Sequence, residues 1–356
     1  MIGSNSRQPI MVTVRARSDL GRTRDHNEDF YVIADLAADR ELGRGGPHRL
    51  DPPGSLFLVA DGMGGAAAGE LASSMAGNSI VTHFKDHWSR ELDRSPERFA
   101  EHLKAAVEQA NSEVFGYAGE HPEVRGMGTT ATVAGILSGT LYLAQVGDSR
   151  GYLVRNGQAT QITKDQSLMQ RLVDAGELTE EEAAQSERRN IILQALGPDP
   201  KIRVDLTWQE LARGDTLVIC SDGLSGQVKR EEIGEVVKDA ADLDQVCDRL
   251  IALANERGGP DNITVIAARF EGEGLPPARP SGGVGYHAIA HDSDGHPASP
   301  TAPSVVEPAK DVPPPIPAND AALPTRRSGS PRTIAVITGI GLILLALLYF
   351  LVTRQP

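Results

Sequence analysis

Nine short apolar runs, most of them following one another with no helix between, constrain this chain more than any other feature. They are MVTVRARS, DFYVIAD, SLFLVAD, GTTATVAGIL, TLYLAQVGD, GYLVRN, QATQIT, DTLVICSD and NITVIAARF. Each either alternates polar with apolar residues or is apolar throughout, the patterns of half-buried and fully buried strands. A parallel pair needs a crossover of about a dozen residues or more, so strands this closely spaced predict mainly antiparallel sheets. Asn156-Gly157, between GYLVR and QATQIT, predicts a hairpin with a type I′ turn.

Helical periodicity occupies AAAGELASSMAGNSIVTHFKDHW, SPERFAEHLKAAVEQANSEVFGYAG, REEIGEVVKDA and DLDQVCDRLIALANER. The second of these opens with Ser95 as N-cap, Pro96 in the first turn and Glu97 close behind. Two sheets packed on each other with helices outside would bury both kinds of apolar face. The expected fold class is therefore α+β, an arrangement of antiparallel sheets flanked by helices.

This globular domain is expected over residues 11–270. From 271 to 332 the chain turns Pro-rich, with Gly, Ser, Ala and Asp between and no sustained apolar period, which predicts a disordered linker. Residues 333–352, TIAVITGIGLILLALLYFLV, are uncharged and of bilayer-spanning length, so one C-terminal transmembrane helix is expected, followed by a short tail at 353–356. Arg326, Arg327 and Arg332 precede the run and Arg354 alone follows it. Cationic flanks stay cytoplasmic, and the N-terminus shows no apolar leader. The expected location is the cytoplasmic membrane, single-pass, with the domain facing the cytoplasm.

A formal net charge of −13, with no clustered Lys and Arg ahead of the linker, excludes a general nucleic-acid binder. Cys220 and Cys247 are the only cysteines. They are too few for a disulfide framework and lack zinc-site spacing, so a reducing compartment and core packing are expected for both.

The acidic residues are placed unusually. Asp61 ends SLFLVAD, Asp148 ends TLYLAQVGD, Asp222 ends DTLVICSD and Asp261 precedes NITVIAARF. Three of the four are bordered by glycine, which lets the backbone turn sharply and brings a carbonyl near the carboxylate. Several such ends meeting at one edge would form an oxygen-rich, negative cleft that needs cations to neutralise it. A single such acid is more often a turn residue or a helix cap. Recurrence at four ends favours a metal site.

SDLGRTRDHNEDF, VADGMGGAAAGELAS, GMGTTATVAGI, VGDSRGYLVRNGQATQIT, CSDGLSG and GGPDNITVIAARF together resemble, in order, the signature blocks of the type 2C metal-dependent protein phosphatases. The resemblance spans essentially all of residues 11–270 and implies an αββα sandwich with a binuclear Mn²⁺ or Mg²⁺ centre at one end. It implies that Asp61 bridges two ions, Gly62 offers its carbonyl, Glu28 serves the second ion, and Asp222 and Asp261 hold the first. Asp148, with Asp222, would bind a third, weaker ion. Arg24 would clamp the substrate phosphate, its forked donors suiting a tetrahedral oxyanion; a surface salt bridge is the bland alternative. Asn262 and Ser221 are candidates for supporting hydrogen bonds. The implied reaction is hydrolysis of phosphoserine and phosphothreonine by metal-activated water, with phosphorylated proteins as partners, a serine/threonine kinase among them, and a monomeric catalytic domain.

One departure concerns Met63, where eukaryotic members often carry a His proposed to protonate the leaving group. A thioether cannot supply a proton, and the DGMGG form resembles the bacterial branch. Residues 164–197 form an insertion resembling a flap that borders the cleft in bacterial relatives; a merely solvated face is the alternative. A dinucleotide site at Gly62-x-Gly64-x-x-Ala67 fails because no short βαβ unit surrounds it. A cysteine-dependent phosphatase fails because neither cysteine has an Arg six positions later. A catalytically weak, phosphoprotein-binding relative would have lost metal acids, and all of them are present.

Overall fold

The computed structural model describes residues 8–37, 40–41, 45–279 and 283–289. In chain order the strands are β1 (Met11–Asp19), β2 (Asp29–Asp35), β3 (Arg40–Glu41), β4 (His48–Arg49) and β5 (Ser55–Met63). After helices α1 (Ala66–Asp86) and α2 (Pro96–Glu120) come β6 (Gly128–Thr129), β7 (Ala131–Leu137), β8 (Thr140–Val146), β9 (Arg150–Arg155) and β10 (Gln158–Gln161). Helices α3 (Leu168–Asp174) and α4 (Glu180–Gln185) precede β11 (Asp205–Glu210) and β12 (Thr216–Cys220). The order closes with α5 (Asp222–Ser225), α6 (Arg230–Asp239), α7 (Leu243–Glu256) and β13 (Ile263–Glu271).

Two sheets result, ordered β10-β9-β12-β13-β1-β4 and β11-β8-β7-β5-β2-β3, with β6 paired to β5. Every pairing of these strands is antiparallel. The period-2 alternation of the strands explains the layering. In β12, Leu217 and Ile219 face the opposite sheet, where Phe57, Val59 and Leu143 meet them, and Ile266 of the neighbouring β13 shares their face. Val218 and Cys220 point the other way, into a second core shared with Ile233, Val246 and Leu250 of α6 and α7. Leu56 and Leu58 of β5 likewise turn outward onto Ile80, Phe84, Phe99 and Leu103 of α1 and α2. Three apolar layers between helix, sheet, sheet and helix are the expected αββα sandwich.

Local signals read from the sequence hold. Ser95 Oγ accepts from Arg98 N at the start of α2. Asn156 and Gly157 take φ of 55° and 78°, the two positive values a type I′ turn requires. Cys220 and Cys247 are free and buried, and burial pushes both thiols up to about 12, so they pack and do not react.

Three expectations are corrected. Strand β11, DLTWQE, is not among the nine runs although Leu206 and Trp208 alternate with polar residues; both are buried, and the strand pairs with β8 from Asp205↔Gln145 to Glu210↔Thr140. Asp222 does not end a strand but opens α5, because Ser221 is already outside β12. The Pro-rich region expected as disordered linker from residue 271 is ordered at its start. Arg213 N donates to Pro276 O, Ile289 N to Leu206 O, and Trp208 N to His287 O. Leu275 and Ile289 are 2% and 3% exposed. Composition misled here because two buried apolar side chains and an unpaired sheet edge suffice to hold a segment that has no period of its own. The expected span at 333–352 and tail at 353–356 lie outside the described residues. Among the described residues no helix is long and apolar enough to cross a membrane.

Candidate metal centre

The antiparallel register decides what meets at one end of the sandwich. Asp29, the first residue of β2, is opposite Asp61 near the end of β5. Thr130 N donates to Asp61 O at 2.8 Å while Thr130 Oγ1 accepts from Asp61 N at 2.9 Å. The same hydroxyl lies 2.8 Å from Ser149 Oγ, tying the Asp148 turn to the Asp61 strand. From the other sheet, Asp222 and Asp261 stand side by side because Gly223 packs on Asn262 O with no room for a Cβ.

Glycine is required at two further positions. A Cβ on Gly62 would overlap Gly69 O, and one on Gly69 would overlap Glu28 Oε2. This close approach of α1 to β5 brings Glu28 beside the Gly62 carbonyl. Ser73 Oγ, from α1, donates to Glu28 O at 2.7 Å and Gly62 N donates to the same carbonyl at 3.2 Å.

Asn262 organises the loop before β2. Its Oδ1 accepts from Glu28 N at 2.8 Å, and its Nδ2 donates to Leu20 O at 3.1 Å and His26 O at 2.9 Å. The loop so held carries Arg24, whose Nη2 donates to Asp261 Oδ2 at 2.7 Å. Both readings of Arg24 are thus geometrically present: it forms a salt bridge, and it does so at the acid cluster.

The carboxylates repel one another. Burial pushes Asp61 well above the usual carboxylate range, and the charges of Asp29, Asp222, Asp148 and Asp261 add to that. Asp148 is raised to about 8 by burial and then by Asp222 and Asp165, with Arg150 opposing. Asp222 is raised by burial and Asp261, against a hydrogen bond with Asp61. Burial raises Glu28 too, with Arg24 pulling the other way. Asp29 was missed by sequence reasoning, although it stands next to Glu28. It is raised to about 7 by burial, against hydrogen bonds that include Ser221 Oγ at 2.8 Å. An acid pair at the start of a strand was the available signal.

Hard divalent cations fit this site. Asp29 Oδ1, Asp148 Oδ1 and Asp222 Oδ1 are buried with no hydrogen-bond partner, and such oxygens are costly unless a cation or water meets them. Every donor atom is oxygen, which suits Mg²⁺ or Mn²⁺ and not softer ions. Among the described residues, no three His, Cys, Asp or Glu side chains converge closely enough to enclose an ion alone.

The family model "Protein phosphatase 2C" matches residues 47–264. The chain belongs to the protein phosphatase 2C family. It is a protein serine/threonine phosphatase whose cofactor is Mn²⁺ or Mg²⁺. It is 37% identical over 251 residues to the serine/threonine phosphatase stp of Listeria monocytogenes, covering 70% of this chain and 92% of that one. A crystal structure of the Mycobacterium tuberculosis serine/threonine phosphatase PstP/Ppp superposes with a TM-score of 0.61 at 37% identity, covering 73% of this chain and 99% of that one. The catalytic domain of PstP in complex with two manganese ions superposes with a TM-score of 0.60, at 37% identity and with 74% and 99% coverage.

The insertion at 164–197 borders the same end. Leu196 bridges to Thr129, which itself pairs with Gly62, and Gln166 N donates to Gly147 O beside Asp148.

Proposed function

We propose that this phosphatase hydrolyses phosphoserine and phosphothreonine in proteins at a binuclear centre held by Glu28, Asp61, Gly62, Asp222 and Asp261, with Asp148 and Asp222 serving a third, weaker ion. The observation that carries this reading is the meeting of six carboxylates, several with orphaned buried oxygens, at one end of the sandwich. When bound, a cation pair supplies Lewis acidity that lowers the pKa of water and neutralises phosphoryl charge. Asp61, central to the cluster, is suited to bridge. Arg24 orients the phosphate: a guanidinium has five N–H donors, and one is on Asp261. No protein nucleophile is needed. Met63 pairs with Gly128 at the rim of the site and cannot donate a proton to the leaving oxygen. The retention of all the acids favours catalysis over a phosphoprotein-binding role.

Turnover of phosphothreonine peptides should require Mn²⁺ or Mg²⁺ and stop on chelation; equal turnover in chelator would refute the assignment. Arg24→Ala should cut kcat/KM about 10–100-fold, the range for losing a charge-assisted hydrogen bond worth ~1.5–3 kcal/mol. Calorimetry should find Mn²⁺ affinity nearly unchanged. Collapse of metal binding would return Arg24 to a structural role.

The apolar run at 333–352 and its arginine flanks support a single-pass anchor in the cytoplasmic membrane, with the catalytic domain on the cytoplasmic side, opposing membrane-bound serine/threonine kinases. Deleting residues from Thr333 onward should move the chain from the membrane to the soluble fraction on fractionation while leaving peptide turnover within about twofold. Recovery of the full-length chain as a soluble protein would end this reading.

A further inference from the structure

At the opposite end of the sheet formed by β10, β9, β12, β13, β1 and β4 lies a cavity of about 260 Å³. Arg213, Lys238 and Arg269 all line it. Thr216, on its wall, opens β12, and Asp222 follows the other end of that strand. At a rise of about 3.3 Å per residue the cavity is therefore on the order of 20 Å from the acid cluster.

In a chain of net charge −13, this cavity is lined by three cations and one carboxylate. Among the described residues, Arg213, Lys238 and Arg269 enter no salt bridge. Arg213 Nε donates to Gly272 O at 3.1 Å, and Arg269 Nε to Thr216 Oγ1 at 3.4 Å, both neutral acceptors. The carboxylate on the wall, Asp215, is fully buried and already neutralised. Its Oδ1 accepts from Arg155 Nε at 2.8 Å, and its Oδ2 from Arg155 Nη2 at 2.7 Å and from Ala212 N at 2.7 Å.

The segments that carry the cations are held in place. Residues 272–279 pin the Arg213 turn, since Arg213 N donates to Pro276 O at 2.8 Å. Lys238 packs its stem against the Asn156-Gly157 turn, where a Cβ on Gly157 would lie 3.0 Å from Lys238 Cδ. Arg269 is fixed by its register with Thr216.

We propose that this cavity is a second, non-catalytic site for a phosphate group. Two guanidinium forks and an ammonium match a tetrahedral dianion, as forked donors match phosphate generally. The volume holds such a group with several waters, each of which occupies about 30 Å³ in the liquid. The phosphate can come from two sources that this phosphatase meets: inorganic phosphate, the product, or a phosphorylated segment of a protein that docks away from the metal centre.

Calorimetric titration of the full chain in excess chelator tests this without any turnover, so its failure leaves the catalytic assignment standing. Inorganic phosphate is the first probe. The second is a peptide carrying a non-hydrolysable phosphonate analogue of phosphothreonine, with the unphosphorylated peptide as control. Saturable binding of at least one probe is expected. It should weaken tenfold or more in the Arg213→Ala/Lys238→Ala double variant, persist in Arg24→Ala, and return in Arg213→Lys/Lys238→Arg. Both substituted side chains are exposed, and thermal melts check that the variants fold. Phosphate alone binding at the cavity identifies the free anion as the ligand; tenfold tighter binding of the phosphopeptide analogue identifies a docked protein segment. No binding of either probe, or binding that the cavity variants leave unchanged, overturns the site.

Discussion

Asp61→Asn and Asp222→Asn should each lower turnover of a phosphothreonine peptide by about 10³-fold or more at saturating Mn²⁺, while raising the melting temperature of the protein in chelator. The first effect follows from the several kcal/mol that two-metal sites contribute to charge stabilisation, at about 1.4 kcal/mol per tenfold in rate. The second follows from the cluster itself. Asp61 and Asp222 are both raised by burial and by neighbouring carboxylates, so replacing either with a neutral isostere removes repulsion that folding otherwise has to overcome. A residue kept only for stability would show the reverse pattern, losing melting temperature with its activity. Kinetics with Mn²⁺ and thermal melts with chelator, run on the same preparations, separate the two. Turnover like that of the unsubstituted chain in either variant would remove that carboxylate from the reaction.

That inverse relation also explains what the sequence could disclose. Residues retained against stability break local rules, and broken rules are visible: Asp61 follows five buried apolar residues, and Asp222 follows the buried run of β12. The αββα layers were legible for a related reason, since alternation in runs such as TLVIC assigns each side chain to one face. What stayed hidden depended on tertiary contact. Asp29 reads as an ordinary strand-opening acid until β2 pairs with β5 and places it opposite Asp61. Strand β11 has only Leu206 and Trp208 to mark an alternation, too short a signal until the strand pairs with β8. Leu275 and Ile289 are single apolar residues in a Pro- and Gly-rich segment, and only the sheet edge they cover gives them meaning. The cavity cations are scattered over 57 positions, from Arg213 to Arg269, and no spacing rule links them.

Asn262→Ala should be the most damaging substitution among residues that carry no charge at the centre. The side chain satisfies Glu28 N, Leu20 O and His26 O, three backbone groups of one loop. Alanine leaves all three without that partner in a site where Asn262 is 3% exposed. An unsatisfied buried group costs about 1–3 kcal/mol, so a loss of roughly 3 kcal/mol or more is expected if the loop stays in place. If the loop moves to regain water instead, the loss appears as function, because Glu28 and Arg24 move with it. Partners that orient metal ligands typically contribute about 10–100-fold in affinity or activity, and here one side chain orients a candidate ligand and the candidate phosphate clamp together. Both outcomes have a distinct readout: chemical denaturation reports the first, and Mn²⁺ affinity with kcat/KM reports the second. Asn262→Asp keeps the acceptor for Glu28 N but loses the Nδ2 donors and adds a charge beside Asp261, so it should not rescue either readout. If Asn262→Ala matched the unsubstituted chain in stability, metal affinity and kcat/KM alike, the loop would be held without it, by the bonds of Ser73 and Gly62 to Glu28 O and of Arg24 to Asp261.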